Sequence, residues 1–244
     1  MSEETDLLAL ARRHSTGLES LAWADLKARA ATTGVVVVDM LVGFARQGAL
    51  ASPRVDALTL PLRAFLERLG ALGVRSAWRL EDAHTPDAGE FAVYPPHCLE
   101  GSAEAEPLPE LLEAPLFRQA TRVPKNALSV FDRYDLEAAL REAGVDRVLI
   151  TGDCTDLCVE ACAMPLRLYA NARRHPLEVV VVADLVDTFD GAGHPAQASH
   201  DLALYRMAQN GVRVLRAPAG APPPASGATV RPPGRRRVRT RAWS

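Results

Sequence analysis

No stretch of this chain approaches the roughly 20 consecutive apolar residues needed to cross a bilayer. Its opening, MSEETDLLALARRHSTG, has no basic start followed by an apolar run, so no secretory leader is read there. A cytoplasmic protein with no membrane partner is expected. Cysteine is scarce, with four in 244 residues and three of them within nine positions. In a reducing compartment such crowding speaks for a reactive or metal-bound thiol rather than a disulfide framework. Acid is missing altogether from residues 219–244, AGAPPPASGATVRPPGRRRVRTRAWS. Removing the six arginines of that segment takes the formal net charge from −2 to −8. A stretch so rich in Pro and Arg cannot pack a core, and it reads as a disordered tail able at most to touch polyanions weakly. The acidic body argues against nucleic acid as a main partner. No internal repeat is found.

With 48% hydrophobic and 24% charged residues, the chain can bury one large core. GVVVVD (34–39), VRSAWRL (74–80), RVLIT (147–151), EVVVVAD (178–184) and VRVL (212–215) are β-branched runs of strand length. Helical patterns lie between them, at about 53–71, 135–143, 157–173 and 196–210. Apolar strands alternating with helices imply an α/β fold, a parallel sheet covered on both faces. The division expected is an N-terminal helical extension (1–30), a catalytic domain (31–218) and the tail (219–244).

In such folds chemistry gathers at the carboxyl ends of strands. The first strand ends in Asp39, the second runs into EDAHTPDAGEF, and a third runs into TGDCTDLCVEACA. In the last, a Gly turn leads into a helix for which Thr155 or Asp156 is the expected cap, leaving Cys158 in the first turn. Unpaired amides and the positive helix end favour thiolate there, which makes Cys158 the candidate nucleophile. The amides of Cys154 and Cys158 could hold an oxyanion. Cys162, one turn deeper, reads as a small buried residue, and Pro165 is expected to bend this helix.

GDCTDLCVEACA resembles the nucleophile signature of the isochorismatase-like cysteine hydrolases, VVVVDMLVGF resembles their opening strand with its aspartate, and VPKNALSVF resembles their lysine segment. The resemblance spans about 34–216. It implies a six-stranded parallel sheet in a three-layer α/β/α sandwich and a triad of Asp39, Lys125 and Cys158. The triad is also sensible chemically. A buried carboxylate can take the thiol proton, and a fixed cation keeps two anions compatible in one pocket.

EDAHTPDAGEFAVYPPHC carries two imidazoles and two carboxylates, Asp82, His84, Glu90 and His97. This donor set suits one borderline divalent ion, zinc above all, with manganese or iron possible. It resembles the nicotinamidase branch, which implies a metal that receives a ring nitrogen and an amide cleaved to acid and ammonia. Phe44 and Tyr94 could sandwich a flat ring. Leu41 stands where the family usually has Gln, and Tyr134 replaces a usual Thr in a packing role. His14, His175, His194 and His200 read as surface residues. The partner expected is a small amide, and a homo-oligomer is expected. A ureido or carbamoyl hydrolase, and a silent scaffold, remain the alternatives.

Overall fold

A computed structural model describes residues 6–220. Six strands form one parallel sheet in the order β3-β2-β1-β4-β5-β6, with β1 Thr33–Val38, β2 Ser76–Asp82, β3 Thr121–Lys125, β4 Arg147–Asp153, β5 Glu178–Asp187 and β6 Arg213–Leu215. The helices longer than a single turn are α1 Leu7–Thr16, α2 Trp23–Ala28, α3 Thr59–Leu72, α4 Leu136–Glu142, α5 Glu160–Ala172 and α6 Ala196–Gln209. Every residue of β1 is buried, and its side chains alternate between two cores. Val35 and Val37 pack with Leu26, Leu62, Leu66 and Leu69, while Val36 and Val38 pack with Leu136, Leu140, Leu166 and Leu204. Helices therefore cover both faces, the three-layer sandwich the apolar strands imply. Among the described residues no helix is long and apolar enough to cross a membrane.

The helix expected over 53–71 is split into a turn, Pro53–Asp56, and α3. Pro61 has no N–H to donate to the Ala57 carbonyl one turn back, so a continuous helix would leave that carbonyl unpaired. α3 then ends at Gly73, whose φ of +106° suits a residue without a Cβ. Of the six strands, β3 had no counterpart among the apolar runs. It is an edge strand, three of its five residues are exposed, and it contains Pro124, which the unpaired side of an edge tolerates. α5 runs through Pro165 to Ala172.

The N-terminal residues are packed onto the sandwich. α1 lies against α6. Residues 19–21 run beside the end of β6, where Arg216 N donates to Glu19 O at 2.8 Å and Leu21 N to Arg216 O at 3.0 Å, which covers the sheet's open edge. Trp23 is buried with Leu26 in the first core. The arginine-rich part of the expected tail, 221–244, lies outside the described residues.

Candidate active site

The carboxyl ends of β3, β2, β1 and β4 lie side by side, and each supplies one part of a single cluster. Asp39, just past β1, has a φ of +48° and donates its N–H to Leu80 O on β2 at 2.8 Å. Its Oδ1 accepts the Asp82 N–H at 2.9 Å, and its Oδ2 lies 2.7 Å from Lys125 Nζ. Asp82 and Lys125 are register partners on β2 and β3, and Lys125 Nζ also donates to Asp82 Oδ1. The same ammonium is 3.5 Å from Cys158 Sγ. Carboxylate oxygens of Asp39 and Asp82 and the Cys158 sulfur all lie within 4.8 Å of one another. The strand ends thus converge as the sequence implies, and Lys125 joins the cluster although its strand was not foreseen.

The nucleophile turn is pressed against β1. Gly152 pairs with Val38, has a φ of +106°, and a Cβ there would sit 2.0 Å from the Val38 carbonyl oxygen. Only glycine fits so close an approach. The Asp153–Cys154 peptide is cis. The helix then begins as a π turn, Thr155–Val159, with Cys154 as its cap, so neither Thr155 nor Asp156 caps it as expected. Their side chains are engaged elsewhere, with His200 and His194. Val159 N donates to the Cys154 carbonyl at 3.1 Å, five residues back, so the Cys158 amide, which an α turn would aim there, is not used for that bond.

Burial dominates the electrostatics. It raises Asp39, the Asp82 carboxylate raises it further, and the Lys125 ammonium limits the rise to about 7. Burial would also raise Asp82, but the Lys125 ammonium against its Oδ1 outweighs it, and Asp82 is held below the usual carboxylate range. Lys125 is held well above its ordinary value because its carboxylate partners outweigh its burial. Cys158 differs from the sequence expectation. Burial pushes its thiol well up, and Asp39 and Asp82 add to the rise against the pull of Lys125, so the resting group is a thiol rather than a thiolate. A carboxylate titrating near 7 beside it is suited to take that proton.

The imidazoles of His84 and His97 converge on the other oxygen of Asp82, their Nε2 atoms at 3.2 and 3.5 Å from Oδ2. Glu90 Oε2 lies 3.8 Å from His84 Nε2 and its Oε1 accepts the Leu128 N–H, which puts Glu90 at the rim of this group. The outer nitrogens are fixed. His97 Nδ1 is 2.9 Å from Pro95 O, and His84 Nδ1 is 3.2 Å from Asn126 Oδ1. That oxygen already accepts the Thr85 N–H at 2.9 Å, so His84 Nδ1 is the donor, and in the neutral imidazole its Nε2 is the atom that carries the lone pair. His84 Nε2 is fully buried and without a hydrogen-bond partner. An orphaned imidazole lone pair beside a carboxylate oxygen and a second imidazole, with both outer nitrogens oriented by carbonyl oxygens, fits a divalent ion.

Both groups open on one cleft, whose walls include Phe44, Tyr94, Leu157 and Phe189. Residues 33–219 match the isochorismatase domain family. The chain belongs to the isochorismatase family. It is 27% identical to Nicotinamidase 1 of Arabidopsis thaliana over 217 residues, 77% of this chain and 86% of that protein. The crystal structure of a pyrazinamidase of Pyrococcus horikoshii in complex with zinc superposes with a TM-score of 0.62 at 26% identity, covering 76% of this chain and 99% of that one. An N-carbamoylsarcosine amidase from Thermoplasma acidophilum does so at 0.60 and 25%, covering 76% and 96%.

This isochorismatase-family hydrolase uses its remaining histidines differently from the surface role expected. His194 Nε2 is 2.7 Å from Asp156 Oδ2, His200 Nδ1 is 2.9 Å from Thr155 Oγ1, and His175, its side chain 7% exposed, lies 2.8 Å from Glu137. His14 is half-buried against Tyr205. All four are distant in sequence from their partners, so spacing gave no sign of the pairing. Leu41 is buried in the first core, and Tyr134 receives the Trp78 Nε1–H at 3.1 Å, the packing role read for it. Cys162 is buried in the second core as expected. Three neighbours of the site were not foreseen. Phe91 packs its ring 5.3 Å from His84, Asn126 orients that histidine, and Asp153 is fully buried with one oxygen unpartnered and its carboxyl raised well above the usual range by burial and by Asp39.

Proposed function

We propose that the protein is a metal-binding cysteine amidohydrolase that cleaves a small carboxamide to its acid and ammonia, with nicotinamide as the substrate its relatives favour. The observation carrying this reading is that Asp82 joins the two halves of one site. Its Oδ1 faces the Lys125 ammonium of the Asp39–Lys125–Cys158 cluster and its Oδ2 faces the two imidazoles. A divalent ion held by Asp82, His84 and His97, with Glu90 at the rim, would offer a Lewis-acidic docking point for a donor atom of the substrate ring; zinc suits this donor set.

The chain's own groups account for the reaction. Asp39 removes the Cys158 proton as the sulfur attacks the amide carbon, and the amides of Cys154 and Cys158 receive the developing oxyanion. Asp39 gives the proton to the departing nitrogen, ammonia leaves, and a thioester remains. Asp39 then deprotonates a water that attacks the thioester, which releases the acid and returns the proton to Cys158. Lys125 keeps its charge throughout and offsets the two carboxylates and the forming thiolate. Phe44 and Tyr94 flank the cleft where a flat ring would lie.

Ammonia release from a panel of amides by zinc-supplied protein tests the proposal, with nicotinamide, pyrazinamide, propanamide and N-carbamoylsarcosine as its members. Turnover of nicotinamide or pyrazinamide above the others is the expected result. Release from N-carbamoylsarcosine alone would move the protein to the carbamoyl hydrolases, and release from none would leave the reading without support.

A further inference from the structure

Phe189 stands in the wall of the cleft that also holds Cys158, on the loop between β5 and α6. Its ring lies against the His194 imidazole, with centroids 4.2 Å apart and 19° between the planes. His194 is fixed at both nitrogens. Nδ1 is 2.9 Å from the carbonyl oxygen of Phe189 itself, and Nε2 is 2.7 Å from Asp156 Oδ2. Burial opposes a charge on this ring, but the pairing with Asp156 outweighs it and raises the imidazole above its ordinary value. The loop is closed at each end. Gly191 and His194 exchange backbone hydrogen bonds of 3.0 Å, and Asp190 Oδ1 accepts the Ala196 N–H at the start of α6 at 2.8 Å. Asp156 sits two residues before Cys158 in the same π turn. The Phe189 ring is therefore clamped to the turn that carries the sulfur.

We infer that Phe189, held by the His194–Asp156 clasp, is the specificity-determining wall of the acyl pocket and selects flat ring carboxamides over aliphatic ones. The inference rests on the amide-hydrolase reading of the cleft and deepens it. His194 fixes the tilt of the Phe189 ring, and the surface left to the cleft is apolar and rigid. A rigid aromatic wall rewards a planar partner by roughly two- to tenfold beyond simple burial and gives a flexible aliphatic chain no such gain. Because the wall is tied to the π turn, a ring resting on it is also registered against Cys158.

The test is kcat/KM by ammonia release for nicotinamide and for propanamide, in the full chain with zinc supplied, comparing the wild type with Phe189→Ala, Phe189→Leu, His194→Ala and His194→Arg. The expected result is that Phe189→Ala lowers kcat/KM for nicotinamide by roughly two- to tenfold more than for propanamide, with Phe189→Leu in between. His194→Ala shifts the ratio the same way. His194→Arg restores it, because a planar guanidinium can pair with Asp156 and stack on the ring together. Equal losses for both amides, no rescue by arginine, or an unchanged ratio overturns the inference. A wild type that prefers propanamide overturns it while leaving amide hydrolysis intact. A wild type that hydrolyses neither amide removes the reading on which it rests.

Discussion

Lys125→Met deletes one buried ammonium and keeps most of its apolar stem. In the wild type that charge lies against Asp39, Asp82 and Cys158, and Lys125 is 2% exposed. Breaking a buried ion pair from one side costs about 3–5 kcal/mol. Part of the loss is recovered if one carboxylate keeps a proton, and Asp39, already raised to about 7, is the group that does so. The sign follows from linkage. A carboxyl whose folded pKa exceeds its unfolded value binds more protons when folded, so stability falls between those two pKa values as pH rises, by about 1.4 kcal/mol per unit. In the wild type that fall ends near pH 7. Without Lys125 the Asp39 pKa moves higher and the fall continues, so the gap between variant and wild type widens by about 1 kcal/mol from pH 7 to pH 8. Urea unfolding of both proteins at pH 6, 7 and 8, in a chelator to keep the histidine cluster metal-free, measures this directly. Turnover should drop by about 10²–10³-fold, because a fixed charge opposite the forming thiolate is gone. A stability loss under about 1 kcal/mol, or unfolding curves that stay parallel across pH, would refute the account of Lys125 as the charge that holds the cluster together.

Cys158→Ala should remove at least about 10³-fold of the turnover while Cys162→Ala keeps most of it, since only the former contacts Lys125; equal losses by ammonia assay would rule out a single nucleophile. His84→Ala should abolish stoichiometric zinc in elemental analysis of reconstituted protein, because oxygen ligands do not replace the orphaned Nε2. An unchanged zinc content would mean the ion sits elsewhere. Gly152→Ala should destabilise by about 3 kcal/mol or more, since its Cβ would meet the Val38 carbonyl; a thermal midpoint within a degree of the wild type contradicts that. Deleting residues 219–244 should leave ammonia release unchanged while ending any low-salt retention on heparin, and a tenfold loss of turnover would show that the segment matters to the site.

The sequence by itself determined the layers of this protein. Continuous valine runs such as those of β1 and β5 can only be buried on both faces, and the helical spacing between them supplies the cover, so a parallel three-layer sandwich follows from the pattern. It also placed the candidate residues in the right neighbourhoods, because carboxyl ends of adjacent parallel strands share one edge and Asp39, Asp82 and the cysteine turn all follow strands. β3 escaped because an exposed edge strand with a proline has no apolar run to read, so Lys125 was singled out by its motif and not by a strand end. Only the tertiary structure decided the protonation of the site. A helix start predicts a thiolate at Cys158, but that local rule ignores burial, which dominates and overrides the pull of Lys125, and the carboxylates of Asp39 and Asp82, which arrive from other strands and add to the rise. The pairings of His194 with Asp156 and of His200 with Thr155 were likewise settled in space, 38 and 45 residues apart, where no spacing rule reaches. Patterning is local and periodic, so a sequence displays it; the electrostatic balance of a buried cluster sums groups from distant segments, so it exists only once the chain has folded.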